Sequence, residues 1–160
     1  MKIKKQDLIE LWQTFETLSN GEHPLKFSYF ISKNKNIIKN EIEILTELSK
    51  PKQEFIEYDN KRATLAYELS DKNSAGKPII ENNSYVVTNN KEEFDSQLQI
   101  LKEEYKTAIE EQIKAQKEFQ AILQEDYDFD GYGIKISDLP NMITPKILDT
   151  FLKVGLILEE

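Results

Sequence analysis

The string Asp126-Tyr127-Asp128-Phe129-Asp130-Gly131 puts carboxylates at the first, third and fifth positions of a loop and glycine at the sixth. Those are the oxygen spacing and sharp turn of the first half of an EF-hand calcium loop. The second half does not follow, because the position that should hold a closing bidentate glutamate is Ser137, and Asp138 comes one residue late. Pro140 would also disturb an exiting helix. The preferred reading is a strand pair turning at Asp130-Gly131, with Tyr127, Phe129 and Ile134 alternating toward the core and the aspartates wet. Calcium at Asp126, Asp128 and Asp130 is the lesser reading.

Ala75-Gly76-Lys77-Pro78 resembles a phosphate loop only in its Gly-Lys pair. The full G-x-x-x-x-G-K-[ST] pattern needs a glycine where Asp71 stands and a hydroxyl where Pro78 stands, so a nucleotide site is rejected. Lys26, Lys33, Lys35 and Lys39 interleave with Phe27, Tyr29 and Phe30, and no acidic residue occurs from His23 to Asn40. Lysines that neutralise phosphates and aromatics that stack bases would bind nucleic acid. The favoured alternative buries the aromatics and leaves the lysines to water or to carboxylates elsewhere in the chain. Arg62 falls on an apolar seam, where an ion pair with a helix carboxylate is expected. Gln112 interrupts another seam and is suited to setting register or oligomeric state. His23, beside Pro24, reads as a cap or turn residue. No set of residues forms a catalytic, cofactor or metal site, so the chain reads as non-enzymatic and without cofactor.

Composition narrows the field further. The 160 residues contain no cysteine and one histidine, which removes thiolate chemistry, disulfides and multi-histidine metal sites. The basic side chains are twenty lysines and one arginine, and the net charge is -8. Bidentate reading of guanine depends largely on arginine, so these numbers argue against a sequence-reading DNA binder. The longest apolar stretch, Val154 to Leu158, is far short of the roughly 20 residues that cross a bilayer. The expected setting is the cytoplasm, with no membrane association.

These residues need elements to position them. Leu8, Leu11, Trp12, Phe15 and Leu18 recur at helical spacing, and Ser19-Asn20-Gly21 offers a left-handed cap. Pro24 suits the first turn of a second helix. That helix carries the columns Phe30-Ile37-Ile44 and Ile31-Ile38-Leu45. The seam continues through Leu48, Lys52, Phe55, Asp59, Arg62, Ala66 and Leu69, which predicts one helix kinked at Pro51 or two nearly coaxial ones. Residues 72–90 read as a loop and a β-hairpin around Glu81-Asn82-Asn83-Ser84. Asn90 and Glu93 give a capping-box start. From there Phe94, Leu98, Leu101, Tyr105, Ala108, Gln112, Ala115, Phe119 and Ile122 alternate in steps of four and three. A helix over Lys91–Gln124 would be roughly 50 Å long, and it needs the preceding helix or a second copy to cover its seam. Residues 91–126 hold ten acidic and five basic side chains, mostly off that seam. Thr144-Pro145 starts a last helix with apolar Ile147, Leu148, Phe151 and Val154, and Gly155 ends it.

The expected fold is therefore α+β and mostly α: a single domain built as a long antiparallel, coiled-coil-like helical hairpin. Residues 1–71 supply the N-terminal helices, 72–90 the loop and β-hairpin, 91–125 the long helix, and 126–160 a small strand and helix cap. The order Glu54-Phe55-Ile56-Glu57-Tyr58, Asp71-Lys72-Asn73-Ser74-Ala75-Gly76-Lys77-Pro78, Tyr85-Val86-Val87, the Glu/Lys helix, Ile134-Lys135-Ile136-Ser137-Asp138-Leu139-Pro140 and Ile143-Thr144-Pro145 resembles small accessory proteins of tailed phages and prophages in low-GC Gram-positive bacteria. The resemblance implies an origin and a setting, with no catalytic residue to transfer. The expected function is non-enzymatic binding of a protein partner, host or phage, including a host factor or defence complex. A homo-oligomer through the long helices stays open. So do a virion structural or assembly role and nucleic-acid binding through the Lys26–Lys39 cluster.

Overall fold

The computed structural model describes residues 1–158. In chain order its elements are β1 (Lys2–Lys4), α1 (Lys5–Ser19), α2 (Leu25–Ser49), α3 (Gln53–Glu68), β2 (Ile80–Glu81) and β3 (Ser84–Tyr85). Then follow α4 (Lys91–Glu104), α5 (Lys106–Leu123), β4 (Asp126–Asp128), β5 (Ile134–Lys135), a 3₁₀ turn, α6 (Pro145–Lys153) and β6 (Ile157–Leu158). The class is α+β and mostly α. The chain divides into two compact units, Met1–Ser49 with the chain from Glu118 onward, and Lys50–Lys117. Those boundaries fall inside the expected 1–71 and 91–125 segments, because α1 and α2 bury their apolar faces against the C-terminal segment.

The first unit is built around four fully buried phenylalanines: Phe15 of α1, Phe27 and Phe30 of α2, and Phe151 of α6. Phe30 lies 5.3 Å from Phe151, 5.7 Å from Phe27 and 6.0 Å from Phe15 between ring centroids. Burial of each ring contributes about 2–3 kcal/mol, and the edge contacts add to it. α1 presents Leu8, Leu11, Phe15 and Leu18 to this core, as its spacing requires. Its end departs from expectation. Asn20 stays right-handed at φ -87°, and the Leu18 carbonyl instead accepts the Gly21 N–H at 3.1 Å and His23 Nε2–H at 2.8 Å. His23 is thus the cap. A Cβ on Gly21 would come within 2.9 Å of that ring nitrogen, which explains the glycine without a left-handed backbone. Pro24 sits just before α2, its carbonyl accepting the Phe27 and Ser28 N–H groups.

Of the two arrangements expected at Pro51, one kinked helix or two helices, the chain has two. α2 ends at Ser49, α3 begins at Gln53, and Lys52 between them is extended at φ -67°, ψ 154°. Pro51 has no N–H to give the ladder and its ring excludes the preceding turn, so helix stops rather than kinks. The turn expected at Asp130-Gly131 is also absent as a hairpin. β4 pairs antiparallel with β1, and β5 pairs parallel with β6. The β1–β4 register sets Lys2 opposite Asp128 and Lys4 opposite Asp126, while Ile3 and Tyr127 point inward between them. Opposite charges across a strand pair stabilise that register, whereas a hairpin turning at Asp130-Gly131 would set Lys135 opposite Asp126 but only Gly133 opposite Asp128. The last helix matches its sequence signals: Thr144 Oγ1 accepts the Ile147 N–H, Pro145 opens the first turn, and Gly155 at φ +64° closes the end.

The second unit holds α3, the β2–β3 hairpin, α4 and the first part of α5. Asn82 and Asn83 at φ 48° and 60° make the tight hairpin turn, for which asparagine is among the few tolerant residues. The expected helix over residues 91–124 is interrupted at Tyr105, at φ -105°, ψ 19°. The ladder carries through it: Tyr105 N–H reaches the Leu101 carbonyl at 3.1 Å, and Ile109 N–H reaches the Tyr105 carbonyl at 3.0 Å. The departure is confined to the residue whose ring packs on Tyr58 at 6.0 Å and under the Lys61 ammonium at 4.8 Å.

Candidate functional site

Each chemical constellation suggested by the sequence is dispersed or tied into structure. Asp126 accepts from Lys4 Nζ at 2.6 Å, and that contact lowers its pKa, with Lys2 a weaker cause. Asp128 faces Lys2 across the strand pair, leaving Asp130 alone at the end of the string. Among the described residues no three His, Cys, Asp or Glu side chains converge as a metal cluster would. Of the lysine cluster, Lys26 pairs with Asp138, Lys35 with Glu16 at 2.6 Å and Lys39 with Glu43 at 3.7 Å. Phe27 and Phe30 are core residues, so the aromatic half of a base-stacking surface is missing. Arg62 holds Asp59 at 2.7 Å on its own helix, as expected of an ion pair, but on the surface rather than within the seam.

The 71–90 region is a clasp rather than a phosphate loop. The Asp71 carboxylate accepts the backbone N–H groups of Asn89 and Thr88, both at 3.1 Å, and these bonds lower its pKa. Asn73 Oδ1 accepts the N–H groups of Ala75 and Lys77, each at 3.0 Å, and Gly76 turns the chain at φ +72°. Asn90, expected to cap α4 with its side chain, instead donates its amide to the Leu69 carbonyl at 3.1 Å. The clasp joins the end of α3 to the start of α4 and so fixes the two as an antiparallel pair.

That pair is where surface remains unexplained by folding. Lys61 of α3 pairs with Glu104 of α4 at 3.0 Å, and Lys52, just before α3, pairs with Glu111 of α5 at 2.7 Å. The Tyr105 side chain, then Glu104, holds the Lys61 ammonium above the ordinary lysine range. Lys52 and Glu111 shift each other in opposite directions, the lysine up and the glutamate down. Along this seam only Tyr58 and Leu101 are buried, while Phe55, Leu65, Phe94, Leu98 and Tyr105 stay half-buried. Two helices cannot surround a shared apolar stripe, and each side of this one opens into a groove.

One groove, of about 270 Å³, is lined by Lys61, Leu65, Gln97, Ile100, Leu101 and Glu104. The other, of about 410 Å³, runs under the β-hairpin past Arg62, Ala63, Ala66, Tyr85 and Phe94. Ile100, on the wall of the smaller groove, is 66% exposed, and Ile80 and Tyr67, both next to Tyr85, are 60% and 50% exposed. Ile100 lies outside the four-and-three seam, so seam counting passes it by. The available signal is an isoleucine on a helix face otherwise occupied by Glu93, Gln97 and Glu104.

Smaller hollows also occur, one of about 190 Å³ beside Lys26, Tyr132 and Asp138, where Lys26 and Asp138 pair with each other, and one of about 100 Å³ beside Gly21 and His23. No helix among the described residues is long and apolar enough to cross a membrane. No family model, curated protein or solved structure matches this chain.

Proposed function

We propose that this chain is a non-enzymatic accessory protein that binds a protein partner through the α3–α4 hairpin. The setting is the phage or prophage one that its resemblance implies, with a host factor or defence complex as the partner. The observation that carries the reading is the open apolar surface of a helix pair that buries little more than Tyr58 and Leu101 between its own helices. Exposed apolar groups gathered around grooves mark contact surfaces, whereas isolated ones are ordinary. The non-enzymatic half is supported by the titratable groups with shifted pKa values. Each is accounted for by an ion pair or by the Asp71 clasp.

The test is affinity capture from bacterial lysate with the wild-type chain and with Ile100→Asp in parallel. Recovery of a protein by wild type and its loss with Ile100→Asp supports the reading. Equal recovery by both removes the hairpin from it.

A further inference from the structure

The two flanks of the α3–α4 hairpin differ in charge. The larger groove is lined by two cations, Arg62 and Lys91, against one carboxylate, Asp95. Beside the smaller one, Glu57, Lys61, Leu65 and Glu68 follow each other along α3 in steps of four, four and three. Glu93, Gln97, Ile100 and Glu104 run along α4 in steps of four, three and four. Glu104 lines the groove with Leu65, Gln97, Ile100 and Leu101, and the same helical spacing carries Glu57 and Glu68 on α3 and Glu93 on α4 beyond its ends. The one cation lining it, Lys61, is already held by Glu104.

We infer that this groove receives a basic amphipathic helix, a partner class that rests on the protein-binding reading above. Its apolar stripe lies on Leu65, Ile100 and Leu101, and its lysines or arginines meet Glu57, Glu68 and Glu93. From Glu57 to Glu68, and from Glu93 to Glu104, the rise is roughly 16 Å, or about three turns of a docked helix. Three turns present apolar anchors at the i, i+3 or i+4, and i+7 spacing that helix-in-groove recognition uses. Glu57 and Glu68 have no ion-pair partner of their own among the described residues, so a basic helix meets carboxylates not already committed. A second copy docked isologously would bring the same carboxylates together, which electrostatic complementarity forbids. Acidic or neutral helices lose the rim contacts in the same way.

The probe is a fluorescent amphipathic peptide of leucine and lysine, compared by anisotropy with its counterpart in which glutamate replaces every lysine. Both are titrated onto the intact chain. The lysine peptide is expected to bind, with Ile100→Asp weakening it about tenfold or more, since one buried isoleucine carries at least that much. Glu68→Lys with Glu93→Lys is expected to weaken it and flatten its salt dependence, while Lys91→Glu on the other flank leaves binding unchanged. Ile100 is 66% exposed, so Ile100→Asp does not disturb the fold. Equal binding of the two peptides, or lysine-peptide binding indifferent to Ile100→Asp and to the double reversal, overturns the inference. So does concentration-dependent self-association of the chain that Ile100→Asp abolishes. If a captured lysate protein is still lost with Ile100→Asp while the peptides fail to discriminate, the partner class is wrong and the hairpin reading survives.

Discussion

Asn34, fully buried in the middle of α2, holds both backbone polar groups of Tyr132. Its Oδ1 accepts the Tyr132 N–H at 2.8 Å, and its Nδ2 donates to the Tyr132 carbonyl at 2.8 Å and to the Phe30 carbonyl at 3.0 Å. The side chain does for Tyr132 what a neighbouring strand would do. It ties the segment between β4 and β5 to the helix that carries Phe27 and Phe30. Replacement by leucine removes both bonds from a partly buried segment, at a cost of about 1–3 kcal/mol. Denaturant unfolding followed by the fluorescence of Trp12, the single tryptophan and a residue of this unit, reads that loss as a lower midpoint with an unchanged slope. An unshifted midpoint would mean that water takes over both bonds.

The glycines on either side of Tyr132 should respond unequally. A Cβ on Gly131 would fall 2.5 Å from Leu156 and from the Phe129 ring, both buried. A Cβ on Gly133 would fall 2.5 Å from Leu158, which is 46% exposed and free to turn away. Gly131→Ala is therefore expected to cost about 1–3 kcal/mol, the range for overpacking, and Gly133→Ala clearly less. Thermal melts of the two variants check the order, and a reversed order would place the strain elsewhere.

Acid should loosen the clasp before it loosens the core. The folded-state pKa of Asp71 lies below its ordinary 3.8, because the N–H groups of Asn89 and Thr88 favour the carboxylate. A depressed carboxyl pKa contributes stability that is complete above the unfolded value and is lost as pH falls through the folded one. Amide exchange at Thr88 and Asn89 is expected to quicken relative to α2 below pH 3.8, and Asp71→Ala should show the same exchange at neutral pH. Protection at those two amides that persists in the alanine variant would refute the assignment.

The sequence made individual elements legible wherever local chemistry decides them. Thr144-Pro145 opens a helix, Asn82-Asn83 turns a hairpin, and Gly155 closes a helix because each uses backbone preferences within a few residues. What it hid was pairing across distance. Lys2-Ile3-Lys4 and Asp126-Tyr127-Asp128 are complementary at a period of two, yet lie at opposite ends of the chain, so the aspartates read as one strand of a local hairpin. Asn34 occupies an apolar column and gives no sign of Tyr132 as its partner. The seam through Pro51 kept perfect register although the helix stops there, since periodicity records which side chains are apolar and not whether the backbone is continuous. The hairpin surface was half legible: the seam at Leu98 and Leu101 was plain, while Ile100 carries no periodic signal.

Opening should be uneven between the two units. The first encloses four phenylalanines at zero exposure, whereas the helices of the second bury Tyr58 and Leu101 alone among their apolar residues. Amides that depend on few buried contacts open at lower free energy. Hydrogen exchange is expected to release residues 53–68 and 91–104 before residues 25–45. Slower exchange in the hairpin than in α2 would show that its stability comes from something other than its own core.

Adjacent residues on α4 separate folding from binding. Leu101 is 9% exposed and sits in the seam, whereas Ile100 is 66% exposed on the groove wall. Leu101→Ala removes buried apolar volume and is expected to destabilise the hairpin by about 2–3 kcal/mol. Ile100→Ala removes nothing that the folded chain covers and should stay within about 0.5 kcal/mol of wild type. The readouts are far-UV circular dichroism melts for stability and capture of the partner for binding. If Ile100→Ala destabilises as much as Leu101→Ala, the exposed isoleucine is part of the chain's own core and the groove is not a docking surface. If it leaves stability intact and lowers capture, that isoleucine is carried for a partner, because nothing in the folding of this chain requires an apolar residue in water between Gln97 and Glu104.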